Sequence, residues 1–346
     1  MSEVSYYDGT KLLSLLDING NKPELIMCTS NRSAGKTTYF GRLFINKFKR
    51  TGEKFCLIYR YNYELDDCAD KFFKELHVLF FNEDYMTNKR MMHGIYHNLY
   101  LNKEHCGYAI SLNSSDQIKK NSHLFSDVSR MLFDEFQSES NHYCSDEVTK
   151  LISVHTSIAR GGGKQVRFVP VYMLANHVTI LNPYYIELDI SSRLNEDTKF
   201  LRGDGFVLEQ GFNVSASQAQ KESAFNRAFS KNRYTLYSSE NIYLNDNKAF
   251  IDKPTSNGHY ICTLKYMNCE YGVREYPEEG IVYVDDKSDS TFKTKIVVTT
   301  EDHEINYVML KKNDIFLASL RHYFEHGCFR FKDLKCKDAV LKALSY

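Results

Sequence analysis

Lys36 and Thr37 close a run of small and polar residues, Ser30-Asn31-Arg32-Ser33-Ala34-Gly35, that links an apolar stretch to an amphipathic one. A phosphate-binding loop needs small side chains so that backbone N–H groups can turn inward. It also needs a lysine that reaches the β and γ oxygens and a hydroxyl for magnesium at a helix N-terminus. All of these are present, with Ser30 standing where such loops usually begin with glycine. The bland reading is a polar turn with a capping threonine; a strand before and a helix after favour phosphate. About 100 residues later Met131-Leu132-Phe133-Asp134-Glu135-Phe136 ends an apolar run in two adjacent carboxylates. The first can hold magnesium and the second can polarise the water that attacks a γ-phosphate. Alone, such a pair is commonly a solvated strand end. Coupled to the loop it points to hydrolysis by water, since a small-molecule kinase needs an acceptor pocket instead.

Phosphoryl transfer also needs positive charge against the charge that develops on the γ-phosphate. Arg32 inside the loop is one candidate. Arg160, before Gly161-Gly162-Gly163-Lys164, is another, because flexible glycines suit a residue that swings into a neighbouring subunit's site. A solvated arginine at a glycine-rich helix exit is the competing reading. Asn176, at the end of a core strand, is placed to sense the γ-phosphate or the attacking water.

The elements that must position these groups follow from hydrophobic period. Glu24–Thr29 reads as a buried strand, Lys36–Arg50 as a helix and Lys54–Tyr61 as a second strand, which together make a βαβ unit. Ile95–Leu101 and Cys106–Leu112 read as a hairpin, and Ser129–Phe133 and Val166–Leu174 as further strands. Their polar groups sit at C-terminal strand ends, where ligands bind in open α/β sheets. Residues 1–202 are thus expected to form a mostly parallel α/β sheet domain. Residues 203–236, with three glycines and one small helix over Ser215–Arg227, read as a linker or lid. Residues 237–346 read as α+β: strands Tyr260–Tyr266, Tyr271–Tyr276, Ile281–Val284 and Lys293–Thr299, then a helix from Asn313 to Gly327 and another over Asp338–Leu344.

The 346 residues carry 44 basic and 44 acidic side chains, a balance that argues against a histone-like blanket DNA binder. No apolar run is long enough to span a membrane. The residues from Met1 to Thr10 lack the pattern of a secretory leader, so a soluble protein outside the secretory route is expected. Nine cysteines with no CxxC spacing read as reduced thiols, without a zinc site.

In this order, the loop with Gly35-Lys36-Thr37, the strand end Leu132–Phe136, the Arg160 segment, the Leu174-Ala175-Asn176 strand end and the terminal Phe329-Arg330-Phe331 make a specific set. The chain resembles the DNA-packaging (encapsidation) ATPases of small tailed phages with protein-primed genomes, which are related to terminase large subunits and to P-loop ATPases with an additional strand and a catalytic glutamate. The likeness runs nearly end to end. It implies ATP and Mg2+ as cofactors, and a P-loop cradle from Ser30 through Thr37, with Ser33 and Ala34 in its turn. It implies metal binding by Thr37 and Asp134, Glu135 as catalytic glutamate, Arg160 as a finger given to the adjacent subunit, and a loop-arginine role for Arg32. It further implies a homomeric, pentameric ring that drives double-stranded DNA into a prohead, with the portal and a structural packaging RNA as further partners. Such a motor works in the host cytoplasm, attached transiently to the prohead and absent from the mature virion. The C-terminal part resembles the RNase H-like nuclease domain of terminases. Two-metal cleavage needs converging carboxylates, and Tyr260–Tyr266 has none, so a nuclease-dead docking domain is expected. Its basic residues Lys311, Lys312, Arg321, Arg330, Lys332, Lys335 and Lys337 are candidates for nucleic-acid phosphates or an acidic portal surface, against the bland reading of a solvated charged face. A helicase or nucleotide kinase is the alternative enzyme, and a scaffold with a dead nucleotide fold the nonenzymatic one.

Overall fold

A short helix, α1 (Thr10–Ser14), precedes β1 (Leu25–Ser30), whose residues are buried on both faces. After the loop, α2 (Lys36–Thr51) lays Phe40, Phe44, Ile45 and Phe48 along one buried stripe. It stops where Gly52 turns left-handed (φ 70°) and donates its N–H to the Phe48 carbonyl. The chain continues through β2 (Lys54–Tyr59), α3 (Cys68–Phe80), β3 (Met86–Met91), β4 (Tyr96–Leu101), β5 (Glu104–Ser111), α4 (Ser115–Lys120) and β6 (Val128–Asp134). Then come α5 (Glu147–Ile158), β7 (Val171–Asn176), α6 (Pro183–Glu187), β8 (Phe200–Arg202) and β9 (Phe206–Gln210).

These strands form one sheet in the order β3-β4-β5-β2-β6-β7-β1-β9-β8, parallel from β5 to β9 with antiparallel edges. Alternation along β1 and β7 divides the core. Met27, Val171, Met173 and Ala175 pack with α5 and α6, whereas Ile26, Cys28, Tyr172 and Leu174 pack with α2 and α3. Because β7 lies between β1 and β6, the C-terminal ends of all three meet at one sheet edge.

The computed structural model describes every residue except 1–5, 141, 162, 192, 195–197, 241–242, 245, 247–249, 298, 310–314 and 345–346. The chain divides into two compact units, Met1–Asn245 and Asp246–Tyr346. The first sheet continues past residue 202, where the expected first domain ends, because β9 pairs in parallel with β1 from Leu25 to Thr29. The expected single helix over Ser215–Arg227 is two, α7 (Val214–Glu222) and α8 (Ala224–Ala228), and a third, α9 (Arg233–Ser239), follows it. Ser223 interrupts it, leaving helical φ/ψ to cap Asn226 N with its side chain. The strand expected from Val166 begins only at Val171, after Pro170, whose missing N–H bars it from the ladder. It then runs on to Asn176, in register with Ser30.

The second unit holds β10 (His259–Tyr266), β11 (Cys269–Tyr276), β12 (Ile281–Asp285), β13 (Lys295–Val297), β14 (Val308–Met309), α10 (Ile315–Glu325), β15 (Phe329–Phe331) and α11 (Leu334–Leu344). Its sheet order is β14-β13-β10-β11-β12-β15. β10 to β12 form an antiparallel meander, and β13 lies parallel to β10, the RNase H-like arrangement. Leu317, Leu320, Ala339 and Val340 of the two helices cover Cys262, Leu264, Val273 and Val284 on one face. The last helix starts earlier than expected because Asp333 caps it, accepting from Cys336 N at 2.9 Å. Asn313, expected as the cap of α10, lies outside the described residues, as do Lys311 and Lys312. Of the other basic residues singled out there, Arg321 bonds the Leu344 carbonyl, Arg330 the Gly327 and Phe329 carbonyls, and Lys332 pairs with Asp286. Among the described residues no helix is long and apolar enough to cross a membrane.

Candidate functional site

The loop is built on two left-handed residues, Ser33 (φ 61°) and Gly35 (φ 94°), the latter capping α2. The loop thus leads into the N-terminus of a 16-residue helix that has no side-chain cap, and such an end is the usual means of holding an anion. Lys36 folds back beneath the turn, and its Nζ donates to Ser30 Oγ (2.8 Å), Asn176 Oδ1 (3.2 Å), Asn31 O (3.4 Å) and Ser30 O (3.5 Å). All four partners are neutral oxygens, and Lys36 is only 7% exposed. Burial therefore pushes its pKa below the ordinary lysine range. A buried cation held by neutral oxygens gains from an anion placed beside it. Ser30, the departure from glycine, contributes the shortest of the four contacts.

Thr37 Oγ1 donates to Asp134 Oδ2 at 2.7 Å, joining the start of α2 to the end of β6. Burial raises the Asp134 pKa, opposed by the Thr37 hydroxyl and the Lys36 charge. Glu135 follows in the left-handed region (φ 59°), a conformation that costs a non-glycine residue of order 1–3 kcal/mol and turns its carboxylate out of the strand line. Desolvation, then the charges of Asp134 and Glu139, raise its pKa as well. Glu135 stands where two clefts meet, of about 550 Å³ and about 430 Å³, the second lined also by Thr37 and Asp134.

Arg60, absent from the sequence candidates, holds this turn. Its guanidinium forms a two-point pair with Glu147 (2.7 and 2.9 Å) and donates to the carbonyls of Phe136 (2.9 Å) and Glu135 (3.3 Å). Tyr184 OH and Cys144 N complete the Glu147 carboxylate. The sequence carried one signal for it, an arginine at the end of an otherwise apolar strand.

Of the two candidate arginines, Arg32 lines the larger cleft together with Glu135 and Asn176, and its charge opposes the rise of the Glu135 pKa. Arg32 points to Glu139 (3.0 Å) and Tyr234, while Tyr234 and Tyr237 also donate to Glu139 at 3.1 and 3.0 Å. The α7–α9 segment reaches the loop again through Asn31, whose amide bonds Asn213 N and O at 2.8 and 3.0 Å, and through Gln220 on Ser33. Arg160 is exposed beyond the C-terminus of α5, where Gly161 approaches Ser126. That places it at the N-terminal end of β6, a seven-residue strand whose other end carries Asp134. At ~3.3 Å per residue the two ends are roughly 20 Å apart, so Arg160 does not serve the pocket of its own chain. Gly162, named with it, is outside the described residues.

The family model for "Podovirus DNA encapsidation protein (Gp16)" matches residues 1–344. The chain belongs to this family. Encapsidation, the packaging of DNA, is accordingly its function. The encapsidation protein is 25% identical over 335 residues to the DNA packaging protein of Bacillus phage phi29, covering 96% of this chain and 94% of that one. It is 22% identical over 306 residues to its counterpart in Bacillus phage B103, covering 87% and 90%. In fold it matches a chain of the bacteriophage Phi-29 viral genome packaging motor assembly (TM-score 0.69, 23% identity, 99% and 97% covered). It also matches a chain of the Phi-28 gp11 DNA packaging motor (TM-score 0.60, 16% identity, 99% and 98% covered).

Proposed function

We propose that the encapsidation protein is an ATP-hydrolysing subunit of a ring motor that drives double-stranded DNA into a prohead. The observation that carries this reading is the 2.7 Å bond from Thr37 to Asp134, with Lys36 joined to Asn176 beside it, because it brings the loop and the carboxylate strand to one point. The residues fit a magnesium-bound triphosphate. Lys36 is held by the oxygens of Ser30, Asn31 and Asn176, the loop from Ser30 to Thr37 presents a helix N-terminus, and Thr37 and Asp134 offer adjacent oxygens. Magnesium, when bound, neutralises charge on the β and γ oxygens. Glu135 orients and deprotonates the attacking water, and Asn176 reports the γ-phosphate to Lys36. Arg160 is supplied to the pocket of the adjacent subunit, and Arg32 adds positive charge once it leaves Glu139.

Likeness to a chain of a viral genome packaging motor assembly supports an oligomeric motor, and a homo-oligomer acting at a prohead portal in the host cytoplasm follows from the family resemblance. A five-membered ring and a packaging-RNA partner follow from the family resemblance. The α7–α9 segment acts as the lid and the second unit, from Asp246, as the docking region. The second unit lacks nuclease activity in this reading, because β10 carries no carboxylate to begin a two-metal site. Lys36→Ala abolishes nucleotide binding, whereas Glu135→Gln retains ATP and loses at least about a hundredfold in DNA-stimulated turnover, with water the sole phosphoryl acceptor. Normal hydrolysis by Glu135→Gln removes the catalytic assignment; transfer to another acceptor turns the reading toward a kinase.

A further inference from the structure

The β10–β12 face turned away from α10 and α11 has no established task. Pairing register sets Tyr260 and Tyr283 on either side of Arg274, with Tyr276 two residues along the same strand. A cavity of about 380 Å³ opens there, walled by Lys253, Arg274, Tyr276, Tyr283, Lys287 and Lys332. One lining carboxylate, Asp285, faces these four cations, and Arg274 already engages it. Lys332 is paired with Asp286 across its rim. Lys253 and Lys287 are exposed, and neither forms an ion pair among the described residues. The cavity therefore keeps a surplus of positive charge after its internal pairs are formed.

Arg274 is fixed by Asp285, by the Lys287 carbonyl at 2.7 Å and by the Tyr260 ring, which lies 4.9 Å beneath the guanidinium. Tyr276 is half-buried, set edge-on to Tyr283 at 6.0 Å. The chain passes flat against it at Gly258, where a Cβ would fall 2.5 Å from the ring. A fixed guanidinium, two exposed lysines and an aromatic ring around a small cavity are the components that hold a phosphodiester and rest its sugar or base.

We infer that this cavity binds a phosphate of a nucleic-acid backbone. Lys253 and Lys287 make the direct contacts, Arg274 supplies fixed charge behind them, and Tyr276 is the surface against which the nucleotide lies. These residues are separate from those of the nucleotide loop.

The full-length chain is titrated with a labelled duplex DNA of about 20 base pairs and, separately, with an RNA hairpin of equal charge, from about 50 to about 200 mM salt. The Lys253→Ala/Lys287→Ala double variant removes two exposed side chains and keeps basal ATP turnover. It is expected to weaken binding by about tenfold and to flatten the log–log salt slope by about 1 to 2. The polymer that shows the loss identifies the source, DNA or RNA. A control, Lys119→Ala/Lys120→Ala, removes two exposed lysines of the first unit and is expected to change neither quantity. Unchanged affinity and slope for both polymers overturn the inference, as does an equal loss in the control, which would make the effect one of bulk charge. Displacement of the polymer by inorganic phosphate at an ionic strength where chloride does not displace it also overturns it, in favour of a free-phosphate site.

Discussion

Arg60 joins the turn after β6 to α5, because its guanidinium grips Glu147 and the carbonyls of Glu135 and Phe136 together. Lysine at this position keeps the charge but loses the fork, leaving carbonyls unpaired. Arg60→Lys should therefore lower kcat by roughly ten- to a hundredfold through a misplaced Glu135, with the KM for ATP within about twofold. Steady-state kinetics on folded protein check this, and a rise in KM at unchanged kcat would count against it. His177 makes a separate prediction. Burial, reinforced by the Lys36 charge, holds its imidazole at about 3 against an ordinary 6.5. The unfolded chain takes up this proton below 6.5 and the folded chain does not until about 3, so the contribution to stability falls as pH drops across that window. The slope is about 1.4 kcal/mol per pH unit. Urea unfolding of His177→Gln at pH values through this window should show a shallower loss than the parent, and parallel curves would refute it. At this scale the loop lysine, threonine and carboxylate pair were legible because each belongs to a short local pattern. Arg60 was not, since its partner Glu147 is 87 residues away and only the fold brings them together.

The α7–α9 segment, proposed above as a lid, is tied to the loop through Asn31, whose amide bonds Asn213 N and O. Removing the two amide bonds with Asn31→Ala should cost about 1–3 kcal/mol in the first unit. It should also weaken nucleotide binding by about tenfold, because the loop loses a fixed edge. Calorimetric titration with a nonhydrolysable ATP analogue measures the second effect, and an unchanged Kd would show that the lid does not order the loop. Strands with long apolar runs were readable from sequence, as was α2 with its phenylalanine stripe. The hairpin was readable too, although its turn is the two residues Asn102 and Lys103, both at positive φ, rather than four. The helix α3, with Cys68, Ala69, Phe72, Phe73 and Leu76 buried at helical spacing, and the helix α5 are elements beyond those expected from the sequence. The breaks at Pro170 and Ser223 are local chemistry that a smooth apolar pattern hides.

For the whole molecule, the position of Arg160 at the far end of β6 decides what it can do. Since its own pocket is out of reach, any catalytic effect must come from a neighbour. Mixing Arg160→Ala with Glu135→Gln subunits should restore part of the ATPase activity that each lacks alone, where one contributes an intact glutamate and the other the arginine. An absence of rescue at every mixing ratio would remove the trans assignment. The C-terminal domain expected from residue 237 begins close to the second unit, at Asp246, whereas the first was expected to end at 202, too early because β9 returns to the first sheet. The distribution of sulfur has a practical result. All five thiols of the first unit, at Cys28, Cys56, Cys68, Cys106 and Cys144, are buried, whereas Cys269 and Cys328 of the second are partly open to solvent. A maleimide fluorophore would decorate the second unit ahead of the first, so the native chain already carries attachment points for watching single motors with no engineered cysteine near the nucleotide.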